Sequence, residues 1–390
     1  MESTLSRREI LKATSATFGI AVAHMALPGF VFPGQAADES LVPFLNAEDR
    51  PGMLDWQTLD SWLTPQEQVF SVSHFDVPQV DPQDYALVVA GLVERPVRLT
   101  LDQLKALPRR EQLMTLECSG NGVNPRFMAA IYNSRFGGAS LSSLLESCGL
   151  KPQAKEIVFI GHDEGEEELG NPDKVKLTVP FGRSMSIPDA MRDVNLLAYE
   201  QGGEPLTKAN GFPLRLIVPG WYGIACVKWL RRIEVRDSRY MGRFMARSYV
   251  TVRGERQGDE VVYSESSVTR MQLKSIVARV TRSATAGGRV PVKAYGAAWH
   301  DGTELAKVEV QVDGGEWRQA RIDDEPRAKY CWRFFSIDLG RLPAGKHTIV
   351  SRATDVNGRV QPRAEDDEIA LKKTYWEANQ QWPREIELEA

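Results

Sequence analysis

Apolar and polar positions follow two different rhythms along the chain, and the change near residue 270 predicts two domains. Before it, short strand-like runs mix with short helical ones. Tyr85-Ala-Leu-Val-Val-Ala-Gly-Leu-Val reads as a strand and turn. Residues 100–107 have helical spacing, with Leu101, Leu104 and Leu107 on one face behind a Thr100 cap. Residues 113–118 form a strand ending in a Gly-rich turn, Ser119-Gly-Asn-Gly122, and residues 141–148 a helix capped by Ser140. Residues 156–161, 212–220 and 227–235 complete the strand-like runs. No regular strand–helix alternation appears, so the region is predicted to be α+β. Residues 38–76 have few clear periods and are expected to wrap over it. Beyond about residue 275, period-two runs occur at 289–295, 307–312, 332–337 and 347–353. Asp313-Gly-Gly, Pro343-Ala-Gly and Val356-Asn-Gly separate them. This pattern predicts an all-β sandwich. The expected boundaries are 37–270 and 271–375, with a C-terminal tail at 376–390. The stretch after Arg363 is acidic, then aromatic, and is expected to pack back on the first domain.

Composition narrows the partners. The 42% of hydrophobic residues is too high for a disordered chain. Lys plus Arg is 48 against 52 for Asp plus Glu, and basic residues do not cluster among aromatics, so nucleic acid is not an expected partner. The acidic runs 163–168 and 365–368 read as solvated loops. The first 37 residues are unlike the rest. Arg7-Arg8 precede an apolar stretch, 13–32, that His24 and Pro28 interrupt and that is too weakly hydrophobic for a membrane span. Small residues around Gly34-Gln35-Ala36 follow. Residues 1–36 are therefore expected to be a twin-arginine export signal, removed in a periplasmic mature protein that keeps no membrane segment. Such a compartment would allow Cys118, Cys148, Cys226 and Cys331 to form two disulfides, though their spacing demands none.

Cys118 stands where a strand gives way to a Gly/Asn turn, a place that presents a side chain. Taken alone, a cysteine is more often a small core hydrophobe. The surrounding sequence weighs against that. Glu117-Cys118-Ser-Gly-Asn121, then Asn133-Ser-Arg-Phe-Gly-Gly-Ala-Ser-Leu141, then Ser186-Ile-Pro188 and Leu196-Leu-Ala-Tyr-Glu-Gln-Gly-Gly-Glu-Pro-Leu206 follow one another. Gly211-Phe-Pro-Leu-Arg215, Val218-Pro-Gly220 and Val227-Lys-Trp-Leu230 come next. In order and spacing these segments resemble the sulfite oxidase family of molybdenum–pterin enzymes. Val308-Glu-Val-Gln-Val-Asp-Gly-Gly and Arg352-Ala-Thr-Asp-Val-Asn-Gly-Arg-Val-Gln-Pro362 resemble its immunoglobulin-like dimerisation domain.

The resemblance implies a sulfite oxidase-like molybdopterin-binding domain followed by an immunoglobulin-like sandwich, with molybdenum–molybdopterin as cofactor and a homodimer as the assembly. Cys118 would be the one protein ligand of the metal, and thiolate is a soft donor suited to it. Arg215 and Lys228 would hold the cofactor phosphate, as a guanidinium fork and a point charge do. Cys226 and Val227 would add backbone contacts, and Asp163 a pterin contact. His74 matches a cofactor-binding histidine, and Asn210 stands where the family has another. Tyr249 would join Cys118 in catalysis, donating a hydrogen bond and a proton at the substrate. Read without the family, His74 is a structural histidine and Tyr249 an interface aromatic. The family's sulfite oxidisers place arginines where this chain has Val72, Val123 and Asn379, and a tryptophan where it has Phe136. Burying a sulfite anion without cations is costly. Arg126, Arg183 and Lys208 are the candidate replacements. The family default is oxidation of sulfite to sulfate, with electrons passing to a c-type cytochrome. The alternatives are a neutral or larger sulfur substrate, a reductase, or an exported binding module without catalysis.

Overall fold

A computed structural model describes residues 39–46, 53–122, 128–284 and 289–389. The expected signal segment, Val123 and Arg126 lie outside the described residues.

Two five-stranded sheets form the first domain. One runs β10 (Arg215–Ile217), β8 (Leu196–Gln201), β5 (Ile131–Ser140), β4 (Arg109–Glu117), with β9 (Glu204–Pro205) on the end of β8. The other runs β3 (Val97–Thr100), β2 (Ala86–Gly91), β11 (Leu230–Arg236), β6 (Glu156–Leu169), β7 (Val175–Ser186). Only the β2–β11 pair is parallel among the pairs of these sheets. Glycine is required where β5 meets β8. A Cβ on Gly138 would lie 2.2 Å from the Leu197 carbonyl oxygen, beside a bulge at Gly137/Gly138. The helices are short. Leu101–Lys105 starts on a Thr100–Gln103 capping box, and Leu141–Cys148 on the Ser140 hydroxyl, as the pattern predicts. A hairpin of β12 (Val250–Gln257) and β13 (Glu260–Ser267) stands apart from both sheets.

The second domain is a sandwich. One sheet is β1 (Ser40–Leu41), β14 (Lys274–Arg282), β15 (Arg289–Trp299), β19 (Arg333–Pro343), β18 (Arg321–Ile322). Against it lies β17 (Arg318–Gln319), β16 (Leu305–Val312), β20 (Gly345–Asp355), β21 (Pro383–Leu388). Alternate side chains from both sheets, including Val277, Val292, Val308, Phe335 and Ile349, fill the space between. The two domains also share apolar packing. Trp299 and Trp332 of the second domain flank Trp56, with ring centroids 5.9 and 5.8 Å away. Among the described residues, no helix is long and apolar enough to cross a membrane.

Three expectations need correction. The acidic run 163–168 is not a loop; it continues β6 as a hairpin arm with β7, and Glu167 there pairs with Arg247 at 2.7 Å. Cross-strand pairing and counter-charges, neither visible locally, stabilise it. The run 365–368 leads into the short helix Asp367–Ala370. The tail packs back on the first domain as expected through Trp376, Trp382 and Glu377, but its end does not: Arg384, Ile386 and Leu388 alternate inward, and β21 closes a sheet of the sandwich. At the other end, β1 pairs with β14, so residues 40–41 belong to the sandwich rather than to a wrap over the first domain. The four cysteines are all free.

One ion pair of the sandwich makes stability depend on pH. His347 is buried, and both ring nitrogens face acceptors, Asp313 Oδ2 at 2.6 Å and the Pro343 carbonyl at 2.9 Å. Only the doubly protonated ring satisfies both. Burial opposes that charge, but the Asp313 carboxylate and the Pro343 carbonyl outweigh it and raise the pKa above the ordinary value. The stabilisation is therefore complete below the unfolded pKa of about 6.5 and is lost as pH rises through the higher folded value. A His347→Gln protein should show a melting-temperature deficit that is larger at pH 5.5 than at pH 8.5. A deficit independent of pH would refute this.

Candidate functional site

A cavity of about 650 Å³, counted out to its mouth, lies against the first domain's sheets. Strands β4, β5, β6, β7 and β10 and five segments between strands supply its wall. The loop after β4 brings Cys118. Its amide donates to the Ala130 carbonyl at 2.9 Å, and its carbonyl accepts from the Asn121 amide at 2.9 Å. Asn121 staples the turn: its Oδ1 accepts from the Ala130 amide and its Nδ2 donates to Glu117 Oε1, at 3.0 and 2.9 Å. Cys118 is the one cysteine that is not buried. Burial nonetheless raises its pKa, against a backbone hydrogen bond from Gly120. Coordination to a soft metal would hold it as thiolate.

Arg215 and Lys228 stand side by side. Gly211, at φ +105°, makes this possible: a Cβ there would lie 3.1 Å from Lys228 Cβ and 3.2 Å from Arg215 Cβ. Arg215 is buried, its guanidinium over Phe136, with Nη1 donating to the Asn210 carbonyl at 3.1 Å. Lys228 Nζ donates to Ser71 Oγ (3.1 Å), the Val72 carbonyl (3.1 Å) and the Ala209 carbonyl (3.0 Å). Burial, then the neighbouring Arg215, lower its pKa to about 7. Burial raises that of Asp163 to about 6. Gly161 leaves room for this carboxylate, since a Cβ there would lie 2.4 Å from Asp163 Oδ1.

At the other side of the cavity, the Tyr249 hydroxyl lies 2.7 Å from His74 Nε2. Phe244 and Phe181 stack on the imidazole, with centroids 4.8 and 5.7 Å away. Burial, then Arg243 and Lys228, lower the His74 pKa to about 4, so the ring is neutral at neutral pH. A neutral ring with its proton on Nε2 donates to the Tyr249 oxygen and leaves the phenol proton free for another acceptor. Burial, then Cys118, raise the Tyr249 phenol well above its ordinary value. It remains a donor.

His74, Cys118, Asp163, Asn210, Arg215, Cys226, Lys228 and Tyr249 thus meet around one space. Val227 does not: its side chain is in the core, its N–H donates to Ala225 and its carbonyl accepts from Leu216. Among the positions where arginines were expected, Val72 lines the cavity and Asn379 is buried elsewhere. Of the candidate replacements, Arg183 is buried and donates to the Phe244 and Val268 carbonyls, outside the wall. Lys208 is exposed, also outside it. Sequence reasoning missed Ser71, Phe181 and Ile224 of the wall. Phe181 carried a signal, the alternation Val175, Leu177, Val179, Phe181 along β7; Ser71 carried none.

The donor set fits a metal–pterin cofactor bearing a phosphate. Asp163 Oδ1 and Arg215 Nε are buried without a partner, an acceptor and a donor that a bound polar group would satisfy. The adjacent Arg215 and Lys228 repel one another, and an anion would relieve that. Among the described residues, no three His, Cys, Asp or Glu side chains group to hold a metal, so a metal here would rely on Cys118 and on ligands from the cofactor.

Comparison with known proteins gives the same reading. Residues 74–244 match the oxidoreductase molybdopterin binding domain, and residues 265–376 the Mo-co oxidoreductase dimerisation domain. The sulfite oxidase of Gallus gallus is 32% identical over 325 residues, 78% of this chain and 69% of that protein. The mitochondrial sulfite oxidase of Rattus norvegicus is 31% identical over 344 residues, 82% of this chain. The chain spans only 60% of that protein's length. The structure is also similar to the sulfane dehydrogenase SoxCD from Paracoccus pantotrophus, with a TM-score of 0.72, 25% identity and 97% of each chain covered.

Proposed function

Since the chain belongs to the sulfite oxidase family, whose cofactor is molybdenum bound by molybdopterin, we propose that it oxidises a sulfur compound whose reacting sulfur carries little charge, a sulfane sulfur above all. The observation that carries this is the cavity wall. Among the described residues its only Arg or Lys side chains are Arg215 and Lys228, the pair suited to the cofactor phosphate. The rest of the wall beside Cys118 includes Val72, Ser71, Ser73, Ile224 and a neutral His74. Such a wall does not compensate a small dianion, but it accepts a neutral or extended sulfur chain. The likeness to a sulfane dehydrogenase over nearly the whole chain supports the same substrate class.

The bound cofactor supplies two-electron oxygen-atom transfer chemistry. Cys118 binds its metal, and Arg215 and Lys228 grip its phosphate. Asp163 accepts a hydrogen bond from the pterin. Tyr249 holds a proton on its phenol oxygen and donates a hydrogen bond at the substrate, while His74 Nε2 fixes the direction of that hydroxyl. Phe181 and Phe244 keep water from the imidazole. Export by the twin-arginine route would place the enzyme in the periplasm, where a c-type cytochrome takes the electrons one at a time. The second domain would join two copies.

Sulfite is the second reading, favoured by the named activity of the vertebrate relatives. Cytochrome c reduction by molybdenum-loaded protein separates the two. A dialkyl trisulfide, whose sulfane sulfur carries no charge, should be preferred over sulfite at least ~10-fold in kcat/KM, about 1.4 kcal/mol. Val72→Arg should raise kcat/KM for sulfite by a similar factor. Efficient turnover of sulfite by the unchanged protein would make sulfite the substrate.

A further inference from the structure

We propose that the second domain positions Cys118, and that Lys274 is the residue through which it does so. The proposal rests on the reading of Cys118 as the metal's protein ligand. Lys274 is the first residue of β14 and is 2% exposed. Its ammonium lies 2.5 Å from Glu117 Oε1 and 2.9 Å from the Asn121 carbonyl. Glu117 is fully buried, and its second oxygen accepts from Trp299 Nε1 of β15 at 2.9 Å. The segment leading into β21 grips the other side of the turn. The Glu377 amide donates to the Ser119 carbonyl, and Gln380 Nε2 to the Gly122 carbonyl, both at 2.8 Å. Residues 117, 119, 121 and 122 are thus all bonded to residues beyond 270, while Cys118 between them bonds to Ala130 of the first domain.

A buried ion pair adds little net stability, because desolvating both charges offsets most of their attraction. What it adds is direction. Lys274 reaches across the domain junction to the residue before Cys118 and to the residue three after it. A ligand misplaced by about 1 Å changes reactivity far more than it changes stability. Lys274 is therefore a positioning residue, and the sandwich has a task at the site besides any part in dimerisation.

Three full-length, cofactor-loaded proteins test this. Lys274→Met leaves Glu117 buried without a counter-charge. Lys274→Met with Glu117→Gln removes both charges and serves if the single variant does not fold. Lys293→Met breaks the Lys293–Glu39 pair (2.6 Å) far along the sandwich and controls for loss of an ion pair there. Hydrogen exchange of the peptide 115–122 should rise at least ~10-fold in the Lys274 variants, with β16 and β20 unchanged. Their molybdenum(V) paramagnetic resonance spectrum should shift, and that of Lys293→Met should not. An unchanged spectrum and unchanged exchange at 115–122 would overturn the proposal. So would a uniform rise in exchange over both domains, which marks a structural role only. A Cys118→Ser protein that keeps the native spectrum would instead refute the ligand reading, and the exchange result would stand apart from it.

Discussion

Cys118→Ser is expected to lower turnover by at least ~1,000-fold, about 4 kcal/mol of barrier, while leaving the fold intact. The serine hydroxyl matches the thiol in shape but stays protonated and is a hard donor, unsuited to a metal that prefers thiolate. The turn does not depend on the sulfur. The Asn121 side chain, the Ala130 backbone and the Lys274–Glu117 pair hold it. The melting temperature of cofactor-free protein should therefore move by no more than ~2 °C. Three readings check this: molybdenum content, rate with the sulfur donor, and the thermal melt. A serine protein that keeps the full rate would sink the reading of Cys118 as the metal's ligand.

Arg215→Met is expected to weaken cofactor retention by at least ~100-fold, within the 2–5 kcal/mol that truncating one side of a buried charged contact costs. The guanidinium is buried with Nε unpartnered, and Phe136 beneath it offers a ring face and no counter-charge. The same change has a signature in pH. In the cofactor-free protein, Lys228 loses its proton as pH rises through about 7, so loading by an anionic cofactor should fall above that point. Arg215 is part of what lowers that pKa, and removing it moves the fall to higher pH. Below about 6, protonation of Asp163 removes an acceptor, so loading should be best between the two. Retention measured from pH 5 to 9 tests both edges. A fall at the same pH in both proteins would show that Lys228 does not sense Arg215.

Local signals were legible in the chain, and signals completed by distant partners were not. The Thr100 and Ser140 caps lie within three residues of what they bond, and both were found. Strand β5 was not. Its Asn133 and Ser134 are buried polar residues, and Asn133 is satisfied by the Trp62 carbonyl and Thr64 Oγ1, about seventy positions away. Much of the cavity wall was legible because ordered motifs carry it: Cys118 in its turn, Arg215 on β10, Lys228 before β11. Ser71 became visible only when the fold set it against Lys228 Nζ. The substrate class was least legible. It depends on which charges the wall lacks, and only the fold places Arg183 and Lys208 outside it.

Residues 44–45 and 385–386 lie side by side: Phe44 bridges Ile386, and the Leu45 amide donates to the Glu385 carbonyl at 2.7 Å. Among the described residues the earliest and latest strands thus belong to one sandwich, and β21 joins it only after residue 388 has been made. Glu377 and Gln380 reach the Cys118 turn as that strand takes its place. A growing chain can therefore form most of its first sheets early, but the turn that presents the thiol is completed last. In order of assembly, the turn around Cys118 is fully held only once residues 377–380 have been made and seated against it.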